Sequence, residues 1–541
     1  MLNRFDSIAR AALLAAFLSV TFYAFRSTTL IGDGLRLLPA LRTITGQSPP
    51  AFEPKPWLEV YRAHYERVVV HNHFLFGLLV RAAFAIARSL GSRADAVSAI
   101  QVVNALCAGV AGALFFLLAL RIGVSRGIAL AVTVGVCISP VYLLAATNIA
   151  EVAPSLPFFI GTLLALSGRE LSEGSVALLG FLAALAAITY LLAGSLVPCI
   201  AAALVVACRF SIRYFGRMVA SFLTVFALIF FGIWTLVLFL SGIHRPLDLI
   251  TAIMRFPQQG TYGGFKLGSL AATPVGLMQS FFSILPEDFR GLRFLYHDHP
   301  SFTMLCCVIS LVLILILGWA VYELVHAGMI LRPVVLSSLL AFLLVEAACV
   351  EWDPYYPKLQ IFAVILFFLI VAVAFARDGV EKWQRGLLVI LVGAVVVAGS
   401  GVLRRNIQPS QPRKNAEQLY SIVGNGVLIT GWASDVAHIW LYSNGENIIP
   451  LPDFALARNL KSNRVQMDLN AIIEQAKAER RNVYFYGVFD DGGSELPDIY
   501  ETRFRLTGFG AYLHAFQQKA HPVASLPQPS GHLALLYAYD P

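Results

Sequence analysis

Two acidic residues stand out in a chain whose long apolar stretches carry almost no charge. Asp33 lies in Gly32-Asp33-Gly34, just beyond the first apolar run, and Glu151 lies in the short link Asn148-Ile149-Ala150-Glu151 between two later ones. A charged side chain at the bilayer centre costs about 3 kcal/mol or more, so an acid at the end of an apolar run is a functional candidate. In that position a carboxylate can act as general base toward a hydroxyl or an amine. The glycines flanking Asp33 let the backbone approach a ligand closely, which favours function over a plain helix end. Glu151 is held between segments that must pack together, so it faces either a cavity or a neighbouring cation. An ion pair with an arginine of the first loop is the structural alternative. Glu351 and Asp353 also follow an apolar run, and they read as ordinary acids in water.

Cations are the second requirement of such chemistry. His71-Asn72-His73 precedes an apolar segment at 74–90. Two histidines at i and i+2 fix no third ligand, so a divalent metal is possible there but not indicated, and no cofactor is expected. Contact with a lipid phosphate suits them better. Lys55, Arg42, Arg36 and Lys358 can share that task, with surface solvation as the plainer reading of each.

The elements that must position these residues are membrane helices. Of 541 residues, 58% are hydrophobic and 13% charged, and the mean hydropathy is +0.71. That balance excludes an ordinary soluble protein. The net charge of +8 is carried largely by Arg and Lys between apolar runs, which reads as membrane topology rather than nucleic-acid binding. Residues 1–25 have the basic start of a signal peptide but no small-residue cleavage pattern, and are read as an uncleaved span. The cysteines lie in or beside apolar runs with no CxxC spacing, so neither a thiolate metal site nor a disulfide framework is expected.

Runs near 9–25, 98–120, 127–147, 152–167, 175–190, 192–208, 218–241, 302–325, 333–350, 356–376 and 386–403 have about the length that crosses hydrocarbon, giving about eleven transmembrane helices. Basic links at Arg121/Arg126, Arg169, Arg209/Arg213/Arg217, Arg332 and Arg377/Lys382/Arg385 alternate with links at 148–151, 191 and 351–355 that hold no Arg or Lys. The positive-inside rule then makes the N-terminus cytoplasmic. Segment 74–90 is interrupted by Arg81 and Arg88, and a full crossing there would invert every later link. It is read as an interfacial amphipathic helix.

The expected architecture is an α-helical polytopic membrane module over 1–404 and a small extracytoplasmic α/β domain over 405–541. A first external loop at 26–97 holds Asp33, and a second at 242–301 is rich in turn residues. In the tail, 426–431 and 482–487 read as buried strands, and Asp468-Leu469-Asn470 as the cap of a helix to about Arg480. Gly424-Asn425-Gly426 precedes its strand, where a phosphate loop would follow one.

The order of these features resembles the GT-C superfamily of membrane glycosyltransferases, in particular its protein O-mannosyltransferase-like and aminoarabinose-transferase-like branch. Gly32-Asp33-Gly34 stands where the family has its first acidic motif. His71-Asn72-His73-Phe74-Leu75-Phe76 stands where a loop helix opens with His/Lys-Pro-Pro, here without the two prolines. Val103-Asn104-Ala105-Leu106 through Leu120-Arg121-Ile122-Gly123 matches a small-residue span. Ser139-Pro140 and Glu151-Val152-Ala153 match the second acidic site, and Tyr355-Tyr356-Pro357-Lys358 the aromatic-basic start of a late span. The match covers roughly 8–210, and 350–376 more loosely.

The resemblance implies a transferase that takes a sugar from a polyprenyl-phosphate-linked donor and passes it to an extracytoplasmic lipid, glycan or protein. It further implies a site facing away from the cytoplasm, while the Ala/Arg-rich composition without organelle signals points to a bacterial inner membrane. By the same resemblance Asp33 is the catalytic base, and Glu151 holds the acceptor or the donor sugar. His71, Lys55 and Lys358 are then the cations for the leaving phosphate, with His73, Arg42 and Tyr356 beside them. A transporter or flippase, or a non-catalytic member of the same fold, is the alternative. Against a transporter, the acids gather at one membrane face rather than at mid-span, and no internal repeat is seen.

Overall fold

The structure is a computed structural model. It describes residues 2–27, 74–89, 96–168, 171–208, 211–240, 267–285, 295–297, 299–351, 357–376, 381–408, 411–431, 447–451, 454–455, 461–489, 500–501, 506–527 and 533–539.

Each expected apolar run is helical. The first half of the bundle comprises α1 (Leu2–Ala24), α2 (Phe74–Ser89), α3 (Ala96–Arg121), α4 (Arg126–Ile138), α5 (Pro140–Thr147), α6 (Leu156–Leu166), α7 (Glu173–Thr189), α8 (Leu196–Ala207) and α9 (Ile212–Leu240). The second half comprises α10 (Leu267–Phe282), α11 (Pro300–His326), α12 (Pro333–Glu351), α13 (Ile361–Ala374) and α14 (Lys382–Asn406). Among the described residues, six helices are long and apolar enough to cross a membrane, and the bent pair α4–α5 makes a seventh. The shorter apolar stretches Ala153–Leu166, Glu173–Thr189, Leu191–Ala207 and Lys358–Ala374 coincide with the remaining expected runs. This is an integral membrane protein.

The bend between α4 and α5 is 64°. It falls at Ser139-Pro140, where the proline has no N–H to continue the helical ladder. The bend delivers the end of α5 to the link that carries Glu151.

The bundle is centred on α13. Every residue of Ile361–Ala374 is buried, as a helix apolar on all sides must be if it has protein around it. Phe281 of α10 meets Phe367 and Phe368 at ring-centroid distances of 5.0 and 5.5 Å. On the far side, Gly135 of α4 lies under Phe368, where a Cβ would sit 2.6 Å from the ring. Small residues also set the α1–α3 contact, since a Cβ on Gly109 would come within 2.1 Å of Ser19 Oγ and 2.7 Å of the Ala15 carbonyl. Close backbone approach at small residues is the usual way membrane helices gain packing without a hydrophobic driving force.

Two elements differ from the sequence reading. The 242–301 stretch contains α10, whose Ala272, Val275, Leu277, Met278 and Phe281 are buried against α11, α12 and α13. Turn-rich flanks and Pro274 hide its apolar face in the sequence. In the tail, the helix expected from Asp468 starts earlier, at Ser462. Segment α2 is a helix as expected, packed on α3 and α7 with Phe76 and Phe84 buried and Arg88 over the Phe84 ring at 5.2 Å.

The tail elements are α15 (Gln411–Val423), β1 (Val427–Thr430), β2 (Ile448–Pro450), α16 (Ser462–Ala478), β3 (Val483–Tyr486), α17 (Phe509–Gln517), β4 (Ala520–Pro527) and β5 (Leu533–Tyr539). They form a sheet of order β2-β1-β3-β5-β4, parallel through β2, β1 and β3 and antiparallel at β5 and β4. The parallel strands are buried on both faces, so their residues are continuously apolar rather than alternating. Val427, Ile429, Val483 and Phe485 belong to one core with α16 and α17, and Leu428, Tyr484 and Tyr486 to another with α15.

Substituting Gly109 by Ala is expected to lower stability by about 1–3 kcal/mol, because the new methyl meets backbone that cannot give way. Gly393→Ala, where nothing lies within 4 Å, is the control and should be neutral or better. Thermal unfolding in detergent reads both.

Candidate functional site

The link after α5 is built by side-chain amides donated from neighbouring helices. Asn148 adopts an extended conformation at the end of α5, and its Oδ1 accepts from the Ile149 N–H at 2.8 Å. Asn104 of α3 donates its amide to the carbonyls of Asn148 at 2.8 Å and Ala150 at 2.9 Å. A three-residue helical turn, Ala153–Ser155, then leads into α6. Carbonyls freed by the turn would be costly in this apolar setting, and Asn104 answers two of them.

The same region captures the exit of α1. The Ser27 N–H donates to the Thr147 carbonyl at 2.8 Å. Gln101 of α3 donates to the carbonyls of Ser27 at 2.9 Å and Thr147 at 3.3 Å. Asn406, at the end of α14, donates to the Phe25 carbonyl at 3.3 Å and to Thr147 Oγ1 at 2.9 Å. Ser27, six residues before Asp33 in the sequence, is therefore held against the segment that leads to Glu151.

Glu151 is 2% exposed and is ion-paired with Lys358, whose side chain is 6% exposed. The lysine comes from a single helical turn, Pro357–Gln360, that opens α13. Its ammonium also lies over the Tyr190 ring at 5.4 Å from the centroid, a cation–π contact in a dry site. Tyr190 in turn sits 5.9 Å from Phe362, and Phe159 sits 4.5 Å from Phe362. Both charges are thus walled by aromatic and apolar groups. Removing them from water is costly, and the pair holds because each is the other's counter-ion.

On the opposite side of the same turn, Gln360 donates to Glu346 Oε2 of α12 at 3.3 Å. This end of the bundle therefore gathers Glu151, Glu346, Lys358 and several amides on converging elements. Chemically this can bind and orient an anionic headgroup and hold a carboxylate ready to accept hydrogen bonds from hydroxyls.

Two of the residues singled out in the sequence, Glu151 and Lys358, are brought together here. The sequence assigns them separate tasks, and the structure makes Lys358 an ion-pair partner of Glu151. Glu351 is exposed at the end of α12. Asp33, Arg36, Arg42, Lys55, His71, His73, Asp353 and Tyr356 lie outside the described residues. Among those described, no group of three His, Cys, Asp or Glu could hold a metal ion. Gln101, Asn406, Tyr190, Glu346 and Gln360 were not singled out in the sequence. Their signal was a lone polar side chain within or beside an otherwise apolar span.

No protein-family model matches the sequence, and no curated protein matches it. In contrast, the structure superposes along almost its whole length on ArnT from Cupriavidus metallidurans bound to undecaprenyl phosphate. The TM-score is 0.54 at 10% identity, covering 98% of this chain and 97% of ArnT. The fold is that of ArnT. The apo state of ArnT superposes with a TM-score of 0.50 at 11% identity, covering 98% of each chain. Sequence identity this low leaves the ArnT-like fold as the shared property, with the chemistry to be argued from the residues above.

Because the pair is desolvated, Lys358→Met is expected to cost about 3–5 kcal/mol by removing a buried counter-charge of the Glu151 carboxylate. Adding Glu151→Gln should restore most of that loss. Thermal unfolding of the two single variants and the double variant measures the coupling, and additive losses would mean that the pair contributes nothing.

Proposed function

We propose that this protein is a glycosyltransferase that moves a hexosyl or pentosyl group from a polyprenyl-phosphate-linked donor to an extracytoplasmic acceptor. The observation that carries the reading is the convergence at the end of α1. The exit toward Asp33, the Glu151 link and Lys358 are tied into one buried polar cluster, in a fold shared end to end with a protein crystallised with undecaprenyl phosphate.

In this reading Asp33 takes the proton of the acceptor nucleophile as the sugar's anomeric carbon is attacked. Glu151 orients the acceptor or the donor sugar through its hydroxyls. As the glycosidic bond breaks, the departing phosphate changes from diester to monoester and gains charge. Lys358, with His71, Lys55, His73 and Arg42 of the first loop, neutralises that charge. Tyr356 shares in donor binding with them. No cofactor is required for this displacement, in which the leaving group is already activated as a phosphate ester. The apolar flank of the bundle takes the isoprenoid chain. The protein works in a bacterial inner membrane, with its N-terminus cytoplasmic and the 405–541 domain outside.

The test is donor turnover by purified protein in lipid, with a panel of polyprenyl-phosphate sugars and detection of released polyprenyl phosphate. Release is expected with one class of donor, falling at least about a hundredfold in Asp33→Asn, the usual scale of general-base loss. No release from any donor, with an authentic transferase active beside it, would overturn the reading. Movement of labelled lipid between leaflets would then mark a flippase.

A further inference from the structure

Glu346 is a carboxyl set in an apolar wall. Among the described elements, those packed most closely against α12 are α8, α10, α13, α6, the helical turn Leu191–Ser195 and the turn Pro357–Gln360. The first five contain no Asp, Glu, Lys or Arg, and the last supplies only Lys358, which is paired with Glu151. The sole hydrogen-bond partner of Glu346 among the described residues is the neutral amide of Gln360. Among the described residues, an ionised carboxylate has no counter-charge in this place.

Hydrogen-bond accounting sharpens the point. Glu346 Oε2 receives the Gln360 N–H, while Glu346 Oε1 and Gln360 Oε1 are both buried with no partner among the described residues. Two neighbouring acceptors lack one donor between them. A single proton on Glu346 Oε1, donated to Gln360 Oε1, closes an acid–amide pair and satisfies both atoms.

We propose that Glu346 carries a proton and acts as a positioning residue, holding Gln360 and with it the turn that presents Lys358 to Glu151. The role in catalysis rests on the glycosyltransferase reading above. The turn is clamped from two sides, by Glu151 through Lys358 and by Glu346 through Gln360. A neutral strut on the second side leaves the lysine's charge to Glu151 and to the phosphate.

Two measurements test this. The first is an infrared difference spectrum of the wild type minus Glu346→Gln in lipid vesicles at neutral pH, which needs no activity. A protonated-carboxyl band missing from the variant is expected, whereas loss of a carboxylate band instead overturns the proposal. The second is donor turnover. The amide introduced by Glu346→Gln keeps an N–H donor for Gln360, so this variant should stay within about threefold of wild type. Glu346→Ala should lose about tenfold in kcat with a smaller change in KM, the scale of one misplaced hydrogen-bonded group. Equal losses in the Gln and Ala variants, or none in Ala, overturn the positioning role. A wild type inactive on every donor would instead count against the glycosyltransferase reading, and the infrared result would still decide the state of Glu346.

Discussion

The structure depends on one constraint, the cost of leaving a polar group unanswered inside an apolar bundle. Water satisfies loop carbonyls and charges in a soluble protein, but here they must find partners on other helices. The Glu151–Lys358 pair is the most demanding instance. Both groups are almost wholly buried, so each offsets much of the other's desolvation cost. Their pairing requires the link between α5 and α6 to meet the start of α13, and that meeting sets how the two halves of the bundle face each other.

The amides follow from the same constraint. Asn104 and Gln101 sit on α3, which is apolar but for them, Ser98 and the terminal Arg121, and they donate to the carbonyls released where α1 and α5 end. Asn406 comes from the end of α14 to the same place. The result is a rigid polar floor at this end of the bundle, made from side chains whose burial is compensated by backbone groups that would otherwise be orphaned. A site built on such a floor is held by helices rather than by its own loops, which suits chemistry that needs a fixed distance between base, nucleophile and leaving group.

Much of the architecture was legible in the sequence because it depends on local quantities. Apolar run length predicts the membrane helices, although 127–147 reads as one run and the bend at Ser139-Pro140 emerged only in the structure. Two buried strands and the helix between them were readable in the tail, since continuous apolar runs there are bounded by glycine and polar residues. Helix α10 was not legible, because its apolar face is short, holds a proline and lies among turn residues. Its burial comes from α11, α12 and α13 closing around it, which no local window contains.

The sequence by itself also determined which residue types could act at the site: acids at the ends of apolar runs, and cations near the headgroup level. It could not say which of them meet. Glu151 and Lys358 are far apart in the chain, and ion pairing carries no periodic signal along it. Only the folded bundle made them partners, placed Tyr190 against the lysine, and set Glu346 beside Gln360. The physical reason is that burial, which decides whether a charge needs a partner and which one it finds, is a property of the packed helices and not of any segment alone.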